Sequence, residues 1–356
     1  MEESLASTPP APRYTGMRYL DMDTADIMSI MINYSYNGAW YCVLVGAQEA
    51  RPGYELDQSI EGKILIELSD LSWGEESEEK DRKITQLQSD LARLAGDACL
   101  LLMKTLTPLP VPEEQTFQDH LYPEIHTLQV FTEGGKLVSH KLDGYDLPER
   151  HPPIPESRLQ EIGLDDTIPV LKPSEIMLGT RLQGLVWKVN VNGEDMICKI
   201  TFDIFEDAIG RELETYQKIR NADLGNDLKV PQLKGIIQSH TGVVGVLLGY
   251  IPHKHHNLRL LLQDVGDGTL PETEATASMK RKWAGQIKQS LAHLHKLGIL
   301  WGDIKTDNVL IDDNGDAYLV DFGGGNTVGW VDHDKYDTVE GDLQGLQKML
   351  VALGEE

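Results

Sequence analysis

Four side chains in the C-terminal third have the types and spacing to handle a phosphoryl group. Asp303, Lys305 and Asn308 follow closely in Trp301-Gly302-Asp303-Ile304-Lys305-Thr306-Asp307-Asn308, and Asp321 arrives after two short apolar runs separated by Asp312-Asp313-Asn314-Gly315. A phosphoryl group in transfer needs positioning and charge neutralisation more than covalent help. Carboxylate and amide oxygens that recruit a metal, with a lysine to offset phosphate oxygens, make a coherent set for that task. An ordinary hairpin with acidic turns would explain Asn314-Gly315. It gives no reason for Asp-x-Lys-x-x-Asn before it or Asp321-Phe322-Gly323 after it.

These motifs resemble the catalytic loop and metal-binding motif of protein kinases. The resemblance implies that Asp303 orients an acceptor hydroxyl, Lys305 reaches the γ-phosphate, and Asn308 and Asp321 hold Mg2+ beside ATP. It also requires an upstream lysine on a strand and a helical glutamate. Met196-Ile197-Cys198-Lys199 supplies the lysine, and the helix pattern at Leu213, Tyr216 and Ile219 carries Glu212, with Glu214 as the alternative partner. Gly179 and Gly184 keep the first and third positions of a glycine-rich phosphate turn, Val186 stands where a valine would cap the adenine, and Arg181 takes the middle position. The apolar run Val243–Pro252 fits a buried strand leading into the connector between two lobes. By resemblance Leu248 is the gatekeeper, Gly249 to Ile251 present backbone groups to the adenine edge, and Leu310 closes the pocket from below. Trp283, Ile287, Leu291 and Leu294 then mark a helix over Arg281–Leu297 that would scaffold the loop.

Four departures from the family pattern stand out. Trp301-Gly302-Asp303 replaces His-Arg-Asp, so no guanidinium is present there to grip a phosphorylated activation loop. Only Gly325–Val339 separates Asp-Phe-Gly from Gly341-Asp342, without an Ala-Pro-Glu element, and the chain as given continues for one helix more. Ile197 occupies a position that usually holds a small alanine against the adenine, and overpacking there costs about 1–3 kcal/mol if it cannot move. Together with Trp301-Gly302-Asp303-Ile304-Lys305, the Gly329-Trp330-Val331-Asp332 segment and the Glu340-Gly341-Asp342-Leu343 helix start are similar to small, divergent protein-kinase-like proteins of fungi. The implied activity is ATP- and Mg2+-dependent transfer to Ser or Thr hydroxyls. The alternatives are a pseudokinase serving as a nucleotide-binding or protein-interaction scaffold, and a small-molecule kinase. Lys305 argues against the latter.

Composition narrows the partners. With 57 acidic and 32 basic residues, the formal charge of −25 disfavours a nucleic-acid surface and an anionic membrane. The expected partners are ATP and a protein or small-molecule acceptor. No apolar run approaches spanning length, and the acidic, then proline-rich start lacks the features of a secretory signal. Cys42, Cys99 and Cys198 lack metal-type spacing and read as buried reduced thiols, which fits a cytoplasmic or nuclear setting. His253, His255 and His256 read as a solvated loop rather than a metal cluster.

The expected fold class is α+β: a bilobal protein-kinase-like fold with a short large lobe, preceded by a small α+β domain. Residues 1–16 read as a disordered tail and 17–144 as the N-terminal domain. In the latter, Trp40–Val45 and Ile64–Leu68 suggest strands, and Ile84, Leu87, Leu91, Leu94 and Ala98 mark one face of a helix. Leu128–Phe131 and Leu137–His140 suggest a hairpin around Gly134-Gly135. Residues 145–175, with Pro148, Pro152, Pro153 and Pro155, read as a semi-rigid linker. The small lobe is placed at 176–251 and the large lobe at 252–356.

Overall fold

The computed structural model describes residues 11–19, 29–46, 55–72, 77–108, 114–144, 151–201, 207–222, 228–255, 257–325 and 327–355. They form two compact units. One comprises residues 1–113 and 122–148, the other 114–121 and 149–356.

The first unit is one five-stranded sheet in chain order: β1 (Arg13–Tyr19), β2 (Ile30–Tyr36), β3 (Ala39–Val45), β4 (Ile125–Glu133) and β5 (Lys136–Leu142). β3 and β4 run parallel while the other neighbours are antiparallel. A parallel pair needs a long crossover, and α1 (Ile60–Ser72) with α2 (Glu78–Leu106) provides it. Ile30, Ile32, Tyr41, Val43, Leu128 and Val130 alternate along the strands and bury one sheet face against Leu65, Leu68, Leu91, Ala95, Cys99 and Met103 of the helices. The hairpin turns at Gly134 and Gly135, whose φ of 56° and 75° suits glycine.

Two expectations fail in this unit. Ile64–Leu68 is helix, not strand: Ser59 Oγ accepts the Gly62 N–H at 2.9 Å and starts a turn that buries Leu65 and Leu68 together. Residues 13–16 belong to β1 rather than to a disordered tail, because their backbone pairs with β2 across a bulge near Gly16. Residues 1–10 lie outside the described set.

The second unit contains α3 (Phe117–Leu121), α4 (Glu156–Ile162), β6 (Val170–Leu171), β7 (Arg181–Gln183), β8 (Val186–Val191), β9 (Glu194–Ile200), α5 (Ala208–Ala222), β10 (Leu233–Gln238) and β11 (Val243–Gly249). α6 (Leu258–Gly266), α7 (Ala277–Lys296), β12 (Val309–Ile311), β13 (Ala317–Leu319) and α8 (Val339–Leu353) complete it. A six-stranded sheet in the order β6-β10-β11-β9-β8-β7 carries α5, and the β12–β13 hairpin lies among the later helices.

The linker expectation for 145–175 gives way here. Residues 145–150 lie outside the described set, but Ile154 donates its N–H to Val243 O at 2.7 Å, and Ile154, Ile162 and Ile168 enter the same core as Leu213 and Val246. β6 adds a parallel strand to β10. The prolines that suggested a spacer bracket an isoleucine whose burial ties the segment down.

A second unexpected piece is Glu114–Leu121, which the sequence places between α2 and β4. It pairs with the second unit through Phe117 N to Ile176 O (2.7 Å) and Leu178 N to Gln115 O (2.8 Å), and Phe117 is fully buried. The Phe117 and His120 rings meet Trp187 of β8, with centroids 6.5 and 4.4 Å away. Cys42, Cys99 and Cys198 are buried thiols outside any disulfide, and among the described residues no helix is long and apolar enough to cross a membrane.

Candidate functional site

The loop bearing Asp303 is fixed from below by α8. Asp342 accepts the backbone N–H groups of Trp301 and Gly302, each at 2.9 Å, and its Oδ2 meets His295 Nε2 at 2.8 Å. Trp301, fully buried, donates Nε1–H to Val320 O. Gly302 has φ 83°, a conformation that glycine takes without strain. Beneath the loop, a Cβ on Gly345 would sit 1.5 Å from Ile304 Cγ2, so a bare helix surface lets Ile304 seat against α8.

Asp303 is 7 % exposed and saturated with donors. Its Oδ2 accepts from Lys305 Nζ at 2.5 Å and Asn308 Nδ2 at 3.1 Å, while Oδ1 accepts the Thr327 hydroxyl at 2.8 Å. Lys305 Nζ also donates to Thr327 Oγ1 at 2.8 Å. The structure thus brings Asp303, Lys305 and Asn308 together. It adds Thr327, which stands two residues after a run of three glycines and carries no distinguishing signal in the sequence.

Asp321 is set beside Asn308 by the bond from Val320 N to Asn308 O (3.0 Å). The two residues offer carboxylate and amide oxygens, hard donors of the kind magnesium takes alongside phosphate oxygens and water. Lys199 Nζ lies 2.8 Å from both Asp321 Oδ1 and Glu212 Oε1. Phe322 is buried edge-on against Tyr216, with centroids 5.5 Å apart. Arg211, which sequence reasoning did not single out, donates Nε–H to Gly323 O at 2.8 Å and ties α5 to this turn.

The electrostatics follow from burial. Burial acts to lower the Lys199 pKa, but Glu212 and Asp321 outweigh it and hold the ammonium well above its ordinary value. Burial raises the Glu212 carboxyl, and Lys199 opposes that rise. Glu214, the alternative partner, instead binds Lys218 and Arg158 at 2.7 and 2.8 Å, which together lower its pKa.

The expected nucleotide-side residues fall on the small-lobe sheet and the hairpin. Val186 pairs with Lys199 and Leu248 with Ile197 across the ladder. Leu248 is buried, and Leu310 is half-buried on β12. Gly184 turns between β7 and β8 with φ 52°. Arg181 folds back there, donating Nε–H to Gly184 O at 2.7 Å with its guanidinium 5.9 Å from the Trp187 ring centroid. Gly179 serves packing: a Cβ would fall 2.2 Å from Lys188 O. In the connector, Gly249 donates its N–H to Gln232 O, and the Ile251 carbonyl meets His253 Nδ1 at 2.5 Å. His255 instead faces Glu274 at 3.5 Å, while His256 lies outside the described residues.

Comparison with known proteins agrees with this geometry. Residues 203–344 match the protein kinase domain family. Ribosomal protein S6 kinase alpha-4 from Homo sapiens is 51 % identical over 43 residues, covering 12 % of this chain and 6 % of that protein. Serine/threonine-protein kinase OXI1 from Arabidopsis thaliana is 30 % identical over 92 residues, 26 % of this chain and 20 % of that protein. Serine/threonine-protein kinase mig-15 from Caenorhabditis elegans is 34 % identical over 77 residues, 20 % and 7 % respectively. The chain therefore spans only a small part of the length of these relatives. With the Lys199–Glu212 pair, the loop of Asp303 and the turn of Asp321 on one α+β scaffold, the second unit is a domain of the protein kinase-like superfamily.

Proposed function

We propose that this unit transfers the γ-phosphoryl group of ATP, with Mg2+, to a serine- or threonine-type hydroxyl. The observation that carries the reading is Lys199 held on Glu212 and Asp321 at once, with Phe322 packed on the helix that bears Glu212. Kinase chemistry needs that ion pair and the metal-binding aspartate in place together. When bound, magnesium would neutralise phosphate charge, with Asn308 and Asp321 as its protein ligands. Lys199 would face the α- and β-phosphates, Lys305 the transferred group, and Asp303 the acceptor proton. Gly179, Gly184, Val186, Leu248 and Leu310 would enclose the nucleotide. Since the Gly249 N–H and Ile251 carbonyl already have partners, the Gly249 carbonyl and Ile251 N–H are the groups we assign to the adenine edge.

A second reading, a nucleotide-binding scaffold without transfer, is favoured by Arg181 bent over the phosphate turn and by Ile197 opposite Leu248. Melting with and without Mg2+ and ATP separates these from a chain that binds nothing, because a ligand at a hundred times its Kd adds about 2.7 kcal/mol. We expect a magnesium-dependent rise that Asp321→Ala abolishes, and no rise in the native chain would overturn both readings. Asp303→Asn should keep the rise and lose transfer. Retained transfer in that variant removes Asp303 from its role.

A further inference from the structure

We propose that the second unit carries a separate ligand site, in the cleft bounded by α5, the start of β10, the connector and the β12–β13 turn, and that it takes an uncharged aromatic molecule bearing a carbonyl group. The cleft has a volume of about 1110 Å³, room for a ligand of several rings. Ile219, Leu228, Val230 and Leu233 supply apolar wall, and Tyr250 and Tyr318 supply two rings. Val186, Lys199, Leu248 and Leu310 are not among its lining residues, so it is distinct from the proposed nucleotide site although both border on Gly249 to Ile251.

The residue that points to a ligand is Tyr216. It lines the cleft from α5 and is 1 % exposed, yet among the described residues its hydroxyl has no hydrogen-bond partner. Buried hydroxyls are normally bonded, because losing water without a replacement is unfavourable. Tyr34 and Tyr41 in the first unit follow that rule, the former donating to Ala92 O and the latter bonded to Thr107 Oγ1. Packing does not require the Tyr216 hydroxyl, since a phenylalanine ring would present the same edge to Phe322. Burial, with Glu212 and Asp321 acting in the same direction, pushes the phenol pKa up, so the group stays protonated and can donate. Those two carboxylates also disfavour an anion beside it, which leaves a neutral carbonyl oxygen as the fitting acceptor.

The remaining lining also selects against charge. Lys229 is held on Asp316 at 3.0 Å, Lys234 on Glu194 at 3.0 Å, and Asp195 on Lys188 at 2.7 Å. Asp312 accepts the backbone N–H groups of Asn314 and Asp316 at 3.0 and 2.7 Å, and Arg220, on the exposed rim, donates to Thr167 Oγ1 at 2.9 Å. A charged ligand would have to break one of these contacts to find a counter-ion. The rings offer flat surface instead: Lys188 stands 4.3 Å from the Tyr250 centroid and Lys229 5.5 Å from that of Tyr318, which fixes both walls.

The test titrates the full-length chain with 1-naphthamide by saturation-transfer NMR, with 1-naphthoate as the charged counterpart and with or without a saturating non-hydrolysable ATP analogue and Mg2+. We expect 1-naphthamide to bind in the presence of the analogue, and Tyr216→Phe to weaken it about 5–10-fold, the worth of one hydrogen bond. 1-Naphthoate should bind about tenfold more weakly or worse, since its charge has no partner there. Without ligand, Tyr216→Phe should melt at or above the temperature of the native chain. A lower melting temperature would mean that the hydroxyl is satisfied within the chain and would overturn the proposal. So would displacement of 1-naphthamide by the ATP analogue, equal affinity in Tyr216→Phe, equal binding of 1-naphthoate, or no binding of 1-naphthamide at millimolar concentration.

Discussion

Replacing Lys199 by Met is the sharpest perturbation of the site, because its partners differ so much in exposure. The Glu212 side chain is 1 % exposed and that of Asp321 is 47 % exposed, so solvent screens the second contact and the cost falls on Glu212. Breaking a buried pair by removing one member costs about 3–5 kcal/mol if the remaining charge stays. Glu212 has another route, since burial already raises its pKa and the variant removes the opposing lysine. Taking up a proton at pH 7 costs about 1.4 kcal/mol for each unit above an ordinary glutamate pKa near 4.3, or about 4 kcal/mol, and only about 1 kcal/mol at pH 5. A carboxyl whose folded pKa is raised contributes stability below its unfolded pKa and loses it as pH rises, so the variant should recover on acidification. The difference of about 3 kcal/mol between pH 7 and pH 5 corresponds to about 6–12 °C in Tm for a domain of this size. Tryptophan fluorescence suits the assay, since Trp187, Trp283, Trp301 and Trp330 lie in this unit. A deficit relative to the native chain that is equal at both pH values refutes the reasoning. So does a Lys199→Met, Glu212→Gln double variant that keeps the pH dependence.

Two further substitutions probe the scaffold. Gly345→Ala forces a methyl into Ile304 and should lower stability by about 3 kcal/mol or more, measured by urea unfolding, with a change below 1 kcal/mol contradicting the close seating of the loop on α8. Asp316, on the β12–β13 turn, is bound by Lys282, Gln286 and Lys229 at 2.7, 2.8 and 3.0 Å, which hold its pKa below the usual carboxylate range. Asp316→Asn should cost about 1–3 kcal/mol at pH 7. Because a depressed carboxyl stabilises only above its unfolded pKa near 4, the gap to the native chain should narrow by about 1 kcal/mol from pH 5 to pH 3, and a constant gap argues against these contacts.

Which features were legible in the sequence depended on whether their cause was local. The β12–β13 hairpin and the helix carrying Glu212 announce themselves through short-range periodicity and turn residues, whereas the strand carrying Lys199 was implied by the resemblance, and the structure forms all three. Ile64–Leu68 was misleading because two β-branched residues in a short apolar run look like a strand, whereas the deciding signal was the cap at Ser59 with Leu65 and Leu68 three apart. The choice of Glu212 over Glu214 rested on pattern alone, and geometry supplies the cause: Arg158, from a stretch read as linker, occupies Glu214. Thr327, Arg211 and Phe117 were invisible because their partners lie far away in sequence. No window around any of them contains Asp303, Gly323 or Trp187.

The Glu114–Leu121 excursion bears on how this protein can be taken apart. A kinase-like unit cut cleanly at residue 149 would lack Phe117, and its small lobe would carry a phenylalanine-sized void beside Trp187 and lose the backbone bonds at Ile176 and Leu178. The modules interleave along the chain, so a breakpoint near residue 149 cannot transfer the second unit intact. An inherited unit of exchange must span at least residues 114 to 353, carrying β4 and β5 of the first unit with it.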